Sequence, residues 1–466
     1  MEMSGFKIMV YSALVGILLT SCSAVINTIP VPNGVNNTLN IPAKKEKLTE
    51  TELQVWSHMD LQTDSIPGMS ILKAYQFLEG KKGVSVIVAI ADSGIDVEHE
   101  DLTEVVWINP LEIAGNNKDD DKNGYIDDVH GWNFLGNKAG VMVRADQLEL
   151  TRIVKQGMDQ FGSTKASEIS DLDKAAFETY VKLKEKHSKS LNAHTLKIED
   201  LENTAKRIAQ ILQNFKEVKA SLGKVELTVE NLKSARPESV LLAMKIADVV
   251  NMLTNGLSEV EVLDYKKQII KEKTANEASK AYDLDFNARA SLGDSLYNIA
   301  DAFYGNNNVI GAKDFESHGT HVAGIVAASR DNGKGVNGVA NHVKIMAVRV
   351  VPDGDEHDKD VALGIRYAVD NGAKVINTSF GKAYSPNKKW VYDAIIYAAK
   401  KEVLIVNAAG NDGKDIDVEE TFPNDSSDLI HEIADNVLTV GAMSLHYDEQ
   451  LPATFSNYGK INVDVF

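Results

Sequence analysis

The sequence predicts an α/β fold, a doubly wound parallel sheet with an inserted all-α subdomain, from three observations. Short, near-continuous apolar runs recur, of the kind buried on both faces of a parallel sheet. Helical segments separate them, the alternation that right-handed crossovers build into one sheet. One long interval between two such runs carries helical periodicity alone. The 466 residues suffice for two or three units of ordinary size, and an apolar fraction of 44% is that of a globular protein.

The chain opens with Lys7 and the apolar run Ile8 to Leu19, too short to cross a bilayer as a mature helix, and small residues precede Cys22. This pattern predicts a signal peptide over residues 1–21. Cys22 is the single cysteine, so no intrachain disulfide can form. Residues 22–65 carry Pro30, Pro32, Asn33-Gly34, Asn36-Asn37 and Pro42, then Lys44, Lys45 and Lys47, and read as a flexible linker.

Folded sequence is expected from residue 66, beginning at Ile66-Pro67-Gly68, with a helix from Ile71 to Leu78 and a strand from Val84 to Ile90. This first part of the sheet domain ends near residue 136. Residues 137–305 form the helical insertion, rich in Lys, Glu, Ala and Leu and interrupted by one proline, Pro237. Leu201, Ala205, Ile208, Leu212 and Phe215 fall at helical spacing, as do Leu172, Ala176, Thr179 and Leu183. Pro237 is read as sitting early in a helix that runs to a cap at Asn255-Gly256. Its charges read as solvated faces; a lid, a substrate-selecting arm or a docking surface are the functional alternatives. Residues 306–466 complete the sheet domain. Strands are expected at Ile345–Val350, Val375–Asn377, Val403–Val406 and Val437–Val440, with helices at His318–Ala328, Val361–Val369 and Trp390–Lys400.

In such sheets, function gathers at the carboxyl ends of the strands. Asp92 stands at the end of the first strand, and Asn411 stands just after another. His318 opens a helix whose Gly319 and Gly324 allow close backbone approach. Taken singly, Asp92 reads as a strand-end cap and His318 as a helix N-cap neighbour or a core histidine. Together, in order and in register with an alternating sheet, an acid and a base point to a charge couple. His321 reads as structural, because its His-x-x-His spacing lacks the glutamate of a zinc protease helix.

These residues carry a resemblance to the subtilisin-like serine proteases, the subtilases. It rests on Val88-Ala89-Ile90-Ala91-Asp92-Ser93-Gly94-Ile95-Asp96, on His318-Gly319-Thr320-His321-Val322-Ala323-Gly324 and on Ala408-Ala409-Gly410-Asn411. The family order is Asp, then His, then Ser. The resemblance implies a subtilisin-like doubly wound sheet and an endopeptidase acting on proteins or peptides. Asp92 would orient and stabilise the imidazole of His318, the general base and later acid. Asn411 would donate its amide to the oxyanion, worth ~3 kcal/mol. Ser379, Phe380 and Gly381 look like the segment that pairs with substrate backbone and walls the first specificity pocket.

The chain departs from the family where the nucleophile is due. No Gly-Thr-Ser-Met-Ala type motif follows Ala442, and Ser379 has no strand-to-helix elbow around it. The expectation is a carboxy-terminal truncation before the nucleophile, leaving a chain inactive as it stands. The competing expectation is a catalytically dead lipoprotein that binds peptides or partner proteins.

Leu19-Thr20-Ser21-Cys22 likewise resembles the bacterial lipobox, which implies lipidation at Cys22 and a chain tethered to a membrane outside the cytoplasm, facing the periplasm or the cell surface. A net charge of −18 argues against a nucleic-acid partner. In Asp119-Asp120-Asp121-Lys122-Asn123-Gly124-Tyr125-Ile126-Asp127, oxygen ligands alternate before and after a glycine, as in the front half of a calcium loop. Asp119, Asp121, Asn123, the Tyr125 carbonyl and Asp127 are the expected ligands of a structural Ca2+; a solvated acidic turn is the alternative. The usual bidentate glutamate is missing, its place falling on His130. The flanking Trp107-Ile108-Asn109-Pro110 and Gly131-Trp132-Asn133-Phe134 resemble segments of subtilases that carry such a loop.

Overall fold

The computed structural model describes residue 44 and residues 47–466, apart from 224–225, 314–315 and 449. The expected signal peptide, Cys22 and most of the linker lie outside the described residues. Where a flexible lead-in is expected, residues 47–65 instead form two short helices, α1 (Glu50–Val55) and α2 (Leu61–Asp64). Local capping explains the difference: Thr49 and Glu52 form a reciprocal capping box, and Asp60 accepts from the Gln62 and Thr63 amides. Helix α3 (Ile71–Leu78) follows where predicted.

The described residues divide into two compact units. The smaller is Ala166–Ser279; the larger takes the chain up to Lys165 and from Lys280 to Phe466. The larger is built on β1 (Val86–Asp92), β2 (Gly131–Asn133), β3 (Val343–Arg349), β4 (Val375–Thr378), β5 (Leu404–Ala408) and β6 (Val437–Val440). They pair in parallel in the order β2-β3-β1-β4-β5-β6. The apolar run of β1 takes the centre because a parallel strand is covered on both faces. Successive side chains point to opposite faces, so Ala89 and Ala91 join one core while Val88 and Ile90 join the other. Helix α9 (His318–Ala327) contributes Ala323 and Ala327 to the second core. Helices α10 (Asp358–Asp370) and α11 (Lys388–Lys400) contribute Val361, Ile365, Ala394 and Ile395 to the first. Three layers result, with the ends of β1, β4 and β5 on one edge.

Strand β2 was not predicted. It is only three residues long, and it begins at Gly131, where φ is +131° and a Cβ would lie 1.8 Å from the Ala347 carbonyl oxygen. A glycine opening so short a run reads as a turn, whereas here it permits the backbone to approach β3. Beyond β6, Val465 forms a parallel bridge with Val440.

The smaller unit holds α5 (Lys174–Leu222), α6 (Val229–Ser234), α7 (Val240–Thr254) and α8 (Glu259–Ala278). The predicted stripe of α5 buries Leu201, Ile208 and Phe215 against Ile246, Val249 and Met252 of α7 and Val262 and Ile269 of α8. Of the expected stripe Leu172, Ala176, Thr179 and Leu183, the structure buries Leu183 alone; Ala176 and Thr179 face solvent, and Leu172 lies 96% exposed before α5 begins. Pro237 also falls outside its expected helix, since Ser239 caps α7 by accepting from the Leu242 amide. The Asn255-Gly256 cap is present, Gly256 taking φ +76°.

This unit is narrower than the 137–305 interval. Its flanks belong to the larger unit because their polar groups are spent there. In α4 (Glu149–Phe161), Thr151 donates to the Ala281 carbonyl at 2.6 Å and Arg152 to that of Asp355 at 2.9 Å. Arg289 pairs with Asp360 at 2.5 Å.

Candidate active site

Asp92 ends β1 and is 1% exposed. Its backbone carbonyl accepts from the amides of Val350 and Val351, at 2.9 and 3.2 Å, so the end of β3 grips it. Its carboxylate accepts from the Ser93 amide at 2.7 Å, and His318 Nδ1 lies 2.8 and 2.9 Å from its two oxygens. The sequence points to a charge couple between these two residues, and the fold brings them into contact although 226 residues of chain separate them.

Glycines permit the approach. At Gly319 a Cβ would stand 2.3 Å from the Gly94 carbonyl oxygen and 3.1 Å from Asp92 Oδ1. Gly94 itself takes φ +120°. Further along, Thr320 Oγ1 accepts from the Asp96 amide at 2.9 Å, fixing the first turn of α9 to the loop after β1.

The hydrogen bond that His318 donates to Asp92 raises the imidazole above its ordinary range; partial burial opposes this, and the carboxylate charge adds to it. With an Nδ1–H donated to Asp92, the Nε2 lone pair is free to take a proton. The side chain is 60% exposed, so a reacting group can reach it. His321, one turn away in the sequence motif, is exposed and takes no part in the couple.

The other predicted residues lie at the ends of neighbouring strands. Asn411 is exposed on the bend after β5. Asn457 holds that bend: its Nδ2 donates to the Ala409 carbonyl at 2.8 Å, and its Oδ1 accepts from the Asp412 and Lys414 amides at 3.0 Å. Ser379, Phe380 and Gly381 follow β4 directly. Ser379 Oγ accepts from Asn377 Nδ2 at 2.8 Å, and Phe380 packs against the first core. Lys382 exchanges backbone hydrogen bonds with Phe422, which holds the segment extended.

The acidic loop differs from its expected ligand set. Glu112, Asp119 and Asp121 each offer a carboxylate oxygen within 4.8 Å of the others, and Glu112 Oε2 is buried without a hydrogen-bond partner. Three converging carboxylates and an orphaned oxygen fit a hard divalent cation. Asn123 borders the group, donating Nδ2 to Asp121 at 3.1 Å. Asp127 does not join it: at φ +53° its carboxylate turns back to accept from the amides of Asn116 and Asn117, at 3.2 and 2.6 Å. Tyr125 is fixed by its ring, which meets Trp132, Phe303 and Tyr367 edge-on. Beneath the loop, burial pushes the Asp128 carboxyl up to about 6, even though the Tyr367 hydroxyl donates to it at 2.6 Å.

Glu112 and Asn457 were missed from the sequence, because Glu112 stands before the acidic motif and Asn457 reaches a bend distant from it in sequence.

Residues 83–465 match the model of the subtilase family. The chain is 41% identical over 179 residues to the cell wall-associated protease of Bacillus subtilis, covering 38% of this chain and 17% of that protein. It is 40% identical over 147 residues to the thermophilic serine proteinase of Bacillus sp. strain AK1, covering 31% and 33%. To thermitase of Thermoactinomyces vulgaris it is 37% identical over 149 residues, covering 32% and 47%. Among solved structures, a protease of Pseudoalteromonas arctica is 34% identical, covering 32% of this chain and 42% of that one at a TM-score of 0.27. The chain thus spans less than half the length of each of these relatives.

Proposed function

The chain belongs to the subtilase family, and on that premise we propose that it works as a serine-type endopeptidase, hydrolysing peptide bonds in proteins or peptides by Asp-His-Ser catalysis. The observation that carries this reading is the couple itself: His318 Nδ1 at 2.8 Å from the buried Asp92 carboxylate. His318 Nε2 takes the proton of the attacking hydroxyl and returns it to the leaving amine. Asp92 holds the imidazole in the required tautomer and stabilises the imidazolium. Asn411 donates to the oxyanion, and Ser379, Phe380 and Gly381 align the substrate backbone.

The 466-residue sequence contains no Gly-Thr-Ser motif after Ala442, so the nucleophile in this reading comes from sequence outside it. The same absence supports a second reading, a protein that binds peptides without cleaving them. A chain extended with the codons that follow Phe466 is expected to cleave a fluorogenic peptide. His318→Ala should then lower kcat/KM by ~10⁴-fold or more. An extended chain that holds peptide without turnover would favour the second reading. Labelling of the 466-residue chain by a fluorophosphonate would overturn the assignment of the nucleophile to sequence outside it.

A structural Ca2+ is proposed at Glu112, Asp119 and Asp121, where it would neutralise the carboxylates and pin the surface loop. Calcium at a hundredfold excess over its dissociation constant is expected to stabilise the protein by ~2.7 kcal/mol, an increment that Glu112→Gln removes. Export and lipidation at Cys22 are also proposed, supported by the Leu19-Thr20-Ser21-Cys22 motif and by the cell wall-associated relative. Incorporation of labelled palmitate that persists in Cys22→Ala would exclude the anchor.

A further inference from the structure

We propose that Arg349 and Glu316 are positioning residues, a buried ion pair that sets the spacing and aim of Asp92 and His318. The inference rests on the reading of those two residues as the catalytic couple.

Arg349 ends β3 as the register partner of Asp92, and its side chain is fully buried. Nε donates to the Ser93 carbonyl at 2.8 Å, holding the residue that follows Asp92. Nη2 donates to Glu316 Oε1 at 2.5 Å, two residues before His318. Nη1 reaches Asn133 Oδ1 at 3.0 Å, and Nη2 also reaches the Val143 carbonyl at 2.9 Å. One planar fork is thereby tied to both sides of the couple, a geometry that a lysine ammonium cannot reproduce.

Helix α9 supplies the reason such a tie is needed. Its N-cap, Ser317, makes no side-chain capping hydrogen bond, so the segment leading to His318 is not fixed in the usual way. Glu316 holds it instead, its Oε2 accepting from the Ala312 amide at 2.6 Å. Gly311, at φ +72°, leaves the space: a Cβ there would fall 2.6 Å from Glu316 Oε2 and 3.1 Å from Arg349 Nε. Stability alone is a poor reason for this pair, because well-packed apolar residues often replace a buried ion pair at no loss. The upward shift of the His318 imidazole traces to Asp92 among charged groups, so it reports the geometry that the pair is proposed to set.

The test follows the His318 imidazole by NMR titration in the full chain, with near-UV circular dichroism to verify the fold. Asp92→Asn should return the imidazole to its ordinary range or below. Arg349→Lys and Glu316→Gln should each lower it by ~0.5 pH unit or more, and Arg349→Met/Glu316→Leu should do so in a chain that still folds. Folded variants that titrate His318 as the parent does would overturn the proposal. Failure of all three pair variants to fold would also overturn it, by making the pair a purely structural element. If Asp92→Asn leaves His318 unmoved, it is the couple that fails, an outcome distinct from either.

Discussion

The two units differ in where they bury charge. In the larger, ion pairs lie inside: Arg349 with Glu316, Arg289 with Asp360, Lys359 with Asp294, and Lys382 with both Glu149 and Asp358. In the smaller, Lys189–Glu185 and Lys206–Glu202 bridge successive turns of α5 in water, over an apolar cluster that includes Leu201, Ile208, Phe215 and Val249. Its acidic and basic residues balance, so the net charge of −18 rests on the rest of the chain. Buried pairs hold particular atoms at particular distances, whereas exposed helical pairs mainly keep a surface soluble. The candidate site lies in the unit built the first way.

That contrast breaks most sharply at Arg289. Arg289→Met leaves Asp360 and Asp294 buried without their guanidinium, and urea unfolding should register a loss of ~3–5 kcal/mol. A loss below ~1 kcal/mol would mean that these pairs are as dispensable as surface ones. In the smaller unit the comparable blow falls on packing: Ile208→Ala should cost ~3 kcal/mol by opening a cavity in its apolar cluster.

Asp425 sharpens the comparison, for it is a half-buried carboxylate with acidic neighbours. Burial, then the charges of Glu432 and Asp464, push it up to about 6 from an ordinary value of 3.8. The folded chain holds this proton after the unfolded chain has released it, so stability should fall as pH rises from about 4 to about 6 and then level. Asp425→Asn should remove that slope and stabilise the protein at pH 7 by ~1 kcal/mol, a figure discounted for solvent screening. Urea titrations at both ends of the window would expose a slope of the opposite sign. Least affected should be Glu202→Gln, whose partner Lys206 is exposed, so that any change is the smallest of the series and vanishes in high salt.

The couple was legible because each half sits in a local pattern: an apolar strand ending in Asp92, and a small-residue helix opening with His318. Arg349 was not, since an arginine closing an apolar strand announces no partner, and its contacts come from Ser93, Asn133, Val143 and Glu316. In the acidic loop the alternation was visible but not the backbone turn. A positive φ turns the Asp127 carboxylate away, and it is Glu112, from an earlier segment, that converges with Asp119 and Asp121. The helical interval was recognised by composition, yet its limits depended on where flanking polar groups find partners, as Thr151 does at Ala281.

Asp92 and His318 are 226 residues apart in sequence. Closing a flexible loop of that length carries an entropic penalty of ~5 kcal/mol, reduced by only ~0.6 kcal/mol for each halving of the flexible length. The helices of the insertion rest on nearby contacts and are expected to form first. Pulse-labelled exchange should then find α5 protected before the end of β1. The two halves of the couple would meet only late in folding, so a nascent or half-folded chain would hold Asp92 and His318 still far apart until it is nearly native.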